Sequence, residues 1–207
     1  MIFDIPSLVK TAGYLGVFGI IFAETGLLVG FFLPGDSLLF TAGILASQGY
    51  LNIGWLCLGL FFAAFVGDNL GYYIGKVAGP RLFTRPKSFF FNPEHLKRSH
   101  AFFERHGGKA VIIARFVPVV RTFSPVVAGL SRMKYSLFLV YSVVGTLLWA
   151  IGLSLLGYWL GTTVPNIEHY IVPGIIIIVL LSISPGIYHV LKNQQSRDVI
   201  LKMLKIK

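Results

Sequence analysis

Residues 114–129 read ARFVPVVRTFSPVVAG, an apolar stretch that carries two arginines, Arg115 and Arg121, and two prolines, Pro118 and Pro125. This combination restricts the fold more than any other feature of the chain. A charged residue at the centre of a bilayer costs roughly 2.5–3.5 kcal/mol on insertion scales, so two on a lipid-facing helix cost about 5–7 kcal/mol. Each proline also frees backbone carbonyls, which cannot face hydrocarbon. The segment is therefore not expected to cross a membrane as a simple helix. The expectation is a re-entrant hairpin over 110–130 that enters, turns near the prolines and returns, shielded by protein or lining a wet cavity.

Composition supplies the bilayer. Of 207 residues, 55% are hydrophobic and only 13% charged, against roughly 25% charged in soluble domains. An integral membrane protein follows. The net charge of +10 does not point to nucleic acid, because the charges sit between long apolar runs. Positive excess beside spans marks cytoplasmic loops. The single cysteine, Cys57, excludes an internal disulfide and a multi-cysteine zinc site.

Along the chain, 13–33 is apolar apart from Glu24. The Pro34-Gly35 break beside Asp36 and a second apolar piece to 47 make 13–47 another expected re-entrant hairpin. Residues 50–75 read as a transmembrane helix containing Asp68. Residues 80–109 read as a basic cytoplasmic loop. Within it NPEHLKRSHAFFERHGG reads as an amphipathic helix, with Asn92 as N-cap, Pro93 at the first helical position and Gly107 as C-terminal cap. Lys97, Arg98 and Arg105 can reach anionic lipid headgroups there, although a solvated loop helix fits equally well. Transmembrane helices are expected again at 135–163 and 170–191, followed by a basic cytoplasmic tail, 192–207. Two crossings separate the basic loop from the basic tail, so both lie on one side. Glu24 interrupts the core of any cleaved signal peptide, so none is expected.

The chain also resembles itself. Under a shift of 86 residues, nine positions between 42 and 75 are identical, among them Ala42-Gly43 with Ala128-Gly129 and Leu70-Gly71-Tyr72 with Leu156-Gly157-Tyr158. Residues 1–79 and 110–163 thus read as two repeats of opposite topology. The expected fold class is an all-α membrane protein in one domain, 1–207. Each half is a re-entrant helical hairpin plus a long transmembrane helix, and an extra C-terminal helix follows. Inverted repeats with broken helices are a plan of secondary transporters, with the binding site near the midplane.

One hairpin carries Glu24 and Asp36, the other Arg115 and Arg121. If they face each other, opposite charges meet inside the membrane. Static ion pairs are one account, but buried pairs rarely stabilise more than apolar packing would. The other account is functional. Arginine forks suit a phosphate, making Arg115 and Arg121 the candidate substrate-binding residues. Carboxylates in the same pocket repel that anion unless protonated, which makes Glu24 and Asp36 the candidate proton-coupling pair.

ETGLLVGFFLPGD and FFERHGGKAVIIARFVPVVRTFSPVVAGLSRMKYSLF, followed by GTLLW, resemble the DedA family, also called the SNARE-associated or VTT-domain family. The resemblance spans roughly 15–190. It implies that Glu24, Asp36, Arg115 and Arg121 are functional, within two facing re-entrant hairpins. It further implies return of undecaprenyl phosphate across the cytoplasmic membrane, with dependence on the proton motive force. Eukaryotic relatives imply phospholipid scrambling instead.

Other constellations are weaker. Asp68 and Asn69 are possible secondary members of the cavity. Gly67, Gly71 and Gly75 fit close helix packing. Tyr72, Tyr73, Tyr158 and Trp159 fit packing or an interfacial belt. His95, His100 and His106 do not share a helical face, so neither a metal nor another cofactor is expected. An enzyme is not expected, because neither hairpin holds a histidine and Ser124 has no evident base. A proton-coupled ion or drug exchanger stays open as an alternative. A homo-oligomer is compatible with the sequence.

Overall fold

The computed structural model describes residues 5–27, 33–82, 107–116, 118–165, 167 and 173–174. The amphipathic helix expected at 92–107 (apart from Gly107), nearly all of the span at 170–191 and the basic tail lie outside the described residues. Among the described residues every regular element is helical and there is no strand. In order these are α1 (Ile5–Gly26), α2 (Gly35–Ser47), α3 (Ile53–Leu82), α4 (Lys109–Arg115), α5 (Pro118–Leu130), α6 (Tyr135–Thr146), a π-helical turn (Leu147–Ile151) and α7 (Gly152–Thr163).

Three described helices are long and apolar enough to cross a membrane: Pro6–Gly26, Ile53–Ala78 and the continuous run Tyr135–Thr163. The chain is an all-helical, multi-pass membrane protein. The structure departs from the sequence expectation at several places: α3 runs to Leu82, past the expected end at 75 and into the loop expected from 80, and three further differences have local causes. The first helix begins at Ile5 rather than 13. It is broken at Gly13, where φ 57° and ψ −153° leave the helical region and only glycine sits without strain. Lys10, in the leading piece, stays exposed and places its ammonium 4.2 Å from the centre of the Tyr50 ring. The third helix begins at Ile53 rather than 50, because the Asn52 side chain accepts from the backbone N–H groups of Gly54 and Trp55, at 3.0 and 3.2 Å. Such capping satisfies donors that the first turn leaves open.

The third difference concerns Pro125. It does not break the chain; it lies inside α5. Proline removes the backbone donor that the Arg121 carbonyl would receive. Here α5 packs along α3, and a Cβ on Gly71 would come within 3.1 Å of the Pro125 Cβ, so the two helices touch at this ring. The turn is instead at Phe116, after which Pro118 takes the first helical position, where its missing N–H is not needed. Pro34 and Gly35 do mark a start: Pro34 caps α2 and its carbonyl accepts from Leu38 N–H at 2.9 Å.

Helix packing is set by glycines. Short helix α2 lies along α7, and short helix α5 lies along α3. A Cβ on Gly43 would run into the Ser154 backbone, and one on Gly157 into the Phe40 carbonyl. On the other side, a Cβ on Gly129 would run into the Tyr72 carbonyl, and one on Gly75 into Val126. These contacts exchange under the 86-residue shift to within one helical turn. Gly67 meets Thr25 and the Gly26 backbone in the same way. Without a hydrophobic drive between helices in lipid, such close approach is what holds them. Tyr72 is buried against Phe138, ring centres 4.6 Å apart, whereas Tyr73 and Trp159 are exposed.

Gly43→Val should therefore lower thermal stability in detergent by an amount on the scale of overpacking, about 1–3 kcal/mol. Gly19→Ala, where nothing stands within 4 Å of the added Cβ, should be neutral or slightly stabilising. Equal melting temperatures for the two variants would show that the α2–α7 approach is slack.

Candidate functional site

Seven elements bring polar side chains to one buried place. Glu24 is in the last turn of α1, Asp36 in the first turn of α2 and Asp68 in mid-α3. Arg115 ends α4, Arg121 is in the first turn of α5, Ser142 is on α6 and Trp149 on the π-helical turn. Glu24, Asp68, Arg115 and Arg121 are each no more than 3% exposed. The local folding helps. A carboxylate at a helix N-terminus and a guanidinium at a helix C-terminus both sit favourably in the helix dipole, as Asp36 and Arg115 do.

The cluster has two ion-pair centres. In the first, Arg121 donates through Nη1 to Asp36 Oδ1 at 2.5 Å and through Nη2 to Glu24 Oε1. Trp149 Nε1 donates to the same Asp36 oxygen at 2.7 Å, and its ring lies 4.2 Å from the Arg121 guanidinium. In the second centre, Arg115 Nη2 pairs with Asp68 Oδ2. The Ser142 hydroxyl donates to that oxygen at 2.5 Å and accepts from Arg115 Nη2 at 3.4 Å. Trp149 stands between the centres, its ring 5.9 Å from the Arg115 guanidinium. Glu24 Oε2, Arg121 Nε and Arg115 Nε and Nη1 are buried without a hydrogen-bond partner.

Two glycines make room. A Cβ on Gly35 would fall on the Glu24 carboxyl, and one on Gly145 would come 2.7 Å from Arg115 Cδ. A cavity of about 180 Å³ adjoins the second centre. Asp36, Arg115 and Trp149 form its polar end, and Phe116, Leu148, Leu153 and Leu156 its apolar wall. Phe116, Leu148 and Leu156 are exposed on the outer surface.

The structure brings together Glu24, Asp36, Arg115, Arg121 and Asp68. It does not bring Asn69 with them. Asn69 is partly buried, donates to the Phe65 carbonyl at 2.7 Å and accepts from the Tyr135 hydroxyl at 2.7 Å. Two members were not singled out from the sequence. Trp149 had a signal, as the last residue of GTLLW; Ser142 had none. Among the described residues no group of histidine, cysteine and acidic side chains has the makings of a metal site.

Comparison with known proteins gives one consistent result. The VTT domain matches residues 33–159. Protein DedA of Escherichia coli (strain K12) is 44% identical over 185 residues, covering 88% of this chain and 84% of that protein. An uncharacterised membrane protein of Mycobacterium leprae is 46% identical over 179 residues, covering 84% and 79%. The inner membrane protein YqjA of E. coli (strain K12) is 37% identical over 150 residues, covering 72% and 68%. No solved structure matches.

Removing one member of a buried pair strands the others, at a cost of about 3–5 kcal/mol. Arg121→Gln alone should destabilise the detergent-solubilised protein on that scale. Glu24→Gln, Asp36→Asn and Arg121→Gln combined should recover most of the loss. A triple variant less stable than the single one would show that the three groups do not act as one charge-balanced unit.

Proposed function

The chain belongs to the VTT-domain (DedA) family, and on that footing we propose that it carries a phosphate-bearing lipid across the membrane. The observation that carries this proposal is the cavity: the buried Arg115 is in its lining, together with apolar residues of which Phe116, Leu148 and Leu156 are exposed. A lipid needs both, a polar seat for its headgroup and a greasy flank for its chain. A polyprenyl phosphate such as undecaprenyl phosphate fits, with Arg115, which lines the cavity, as the phosphate-recognising residue and Arg121 behind it, holding Glu24 and Asp36. The relative YqjA is named an inner membrane protein, which supports placement in the cytoplasmic membrane. No covalent step is involved, so the protein is a carrier rather than an enzyme. The lysines and arginines in 80–109 are the proposed contacts for anionic headgroups.

The architecture we propose for this task is an inverted repeat with two re-entrant hairpins. At 1.5 Å per residue, α2 and α5, of 13 residues each, are about 20 Å long, short of the roughly 30 Å hydrocarbon core; α1 is long enough to cross as a whole, but its break at Gly13 leaves only 14–26 as the limb that leads into α2. Exchange of the Gly43–α7 and Gly129–α3 contacts between the halves supports the repeat. Proton coupling is part of the proposal. Two buried carboxylates, Glu24 and Asp68, and the partly buried Asp36 face two guanidiniums, and a surplus carboxylate in such a site is where a proton can ride with the substrate.

Topology gives one test. Lys109 and Lys134 are exposed and flank the α4–α5 hairpin. In a Cys57→Ser background, Lys109→Cys and Lys134→Cys should label from the same, cytoplasmic side. Labelling from opposite faces would make α4–α5 a crossing.

Transport gives another. In proteoliposomes, the flip rate of labelled polyprenyl phosphate should rise under a pH gradient. Glu24→Gln and Asp36→Asn should lose that acceleration while retaining lipid binding. Arg115→Lys should lose at least tenfold in rate, because a lysine point charge lacks the bidentate fork. Wild-type flipping that ignores the gradient would favour passive scrambling; transport of inorganic cations instead of the lipid would favour an exchanger.

A further inference from the structure

The two buried arginines are not equally engaged. Arg121 has both terminal nitrogens on carboxylates. Arg115 has only Nη2 engaged, while its buried Nε and Nη1 have no partner. Arg115 lines the cavity; Asp68 and Ser142 are not part of the lining. The Arg115 side chain thus both pairs with a carboxylate and borders the cavity.

A guanidinium grips a tetrahedral oxyanion through a two-point edge, either Nε with Nη2 or Nη1 with Nη2. Nη2 is common to both edges, and it is the nitrogen on Asp68. We infer that Asp68 is a carboxylate latch: it occupies the anion position of Arg115 and sets how tightly a phosphate headgroup is held there. A phosphate taking a two-point grip must displace Asp68 from Nη2 or share that nitrogen against like-charge repulsion. Ser142, fully buried on α6, holds the latch shut by bonding both partners. Gly145, on the same helix, leaves the room in which the Arg115 stem lies against α6 beside Ser142. The inference rests on the cavity being a phosphate-lipid site, and it gives Asp68 a role separate from that of Glu24 and Asp36.

The cavity contains its own reporter. The chain has three tryptophans, and two of them, Trp55 and Trp159, are exposed and make none of the cluster's contacts. Replacing both by Phe leaves Trp149, which lines the cavity, as the sole emitter. This protein, in dodecyl maltoside micelles, is titrated with dodecyl phosphate. Inorganic phosphate is titrated in parallel, to distinguish a lipid headgroup from a free anion. Asp68→Asn should bind dodecyl phosphate at least tenfold more tightly, about 1.4 kcal/mol. Asp68→Glu, which restores a carboxylate, should return the affinity toward the wild-type value. Ser142→Ala should tighten binding about threefold, and carries the test if Asp68→Asn does not fold. Wild-type binding with no gain in Asp68→Asn, or in Ser142→Ala, overturns the latch and leaves the phosphate site standing. Folded wild type and Asp68→Asn that both ignore dodecyl phosphate overturn the latch and the phosphate site together.

Discussion

Everything in this molecule is arranged around the need to keep two guanidiniums inside a lipid-embedded interior. Arginine does not lose its charge in proteins, so it cannot escape desolvation by becoming neutral. Its charge has to be met by carboxylates, and no single helix can supply them at the right place. Arg121 accordingly draws Glu24 from α1 and Asp36 from α2, while Arg115 draws Asp68 from α3. Those pairings fix how five helices, α1 to α5, sit relative to one another.

The cluster is only possible because the backbones around it come unusually close. Gly35 lets the Glu24 carboxyl rest on the start of α2, and Gly145 does the same for the Arg115 stem on α6. Farther out, Gly43, Gly75, Gly129 and Gly157 bring the short helices against the long ones. In lipid, polar attraction and small-residue packing work together, since apolar side chains gain nothing by leaving hydrocarbon for protein. The π-helical turn at Leu147–Ile151 belongs to the same solution. It inserts an extra residue into the third long helix just where Trp149 must reach both Asp36 and Arg121. Such insertions are unfavourable in isolation and recur at functional sites.

Much of this was legible in the residues. Charges and prolines in an apolar run marked 110–130 as a broken stretch, and it divides there into α4 and α5. Glu24, Asp36, Arg115 and Arg121 could be picked out because ionisable groups in such sequence are rare. What was hidden has physical causes. The pairing pattern depends on which helices touch, and that is a tertiary property; hence the partner of Arg115 is Asp68 rather than either residue of the first hairpin. Ser142 carries no signal, because a serine in a membrane helix usually bonds its own backbone. Pro125 misled because proline's local penalty is outweighed when a neighbouring helix packs against its ring. Asn69 misled by adjacency: next to Asp68 on α3, it points a third of a turn away and finds Tyr135 instead.

The inequality between the arginines bears on how such a site could work. At an effective dielectric near 20, a pair of unit charges 4 Å apart is worth about 4 kcal/mol, so a headgroup carrying one charge can replace a carboxylate at Arg115 with little net change. Arg121 offers no such trade, because two carboxylates and the Trp149 ring already surround it. On the proposed reading, Arg121 therefore anchors the two hairpins together, and Arg115 is where charge is exchanged. An exchange of near-equal energies is what a carrier needs, since a seat that bound the phosphate far more tightly than its internal substitute would never release it. The surplus carboxylate adjusts that balance. On the same proposed reading, three carboxylates against two guanidiniums would make the empty site repel an incoming anion until a proton arrives, so that substrate and proton enter together.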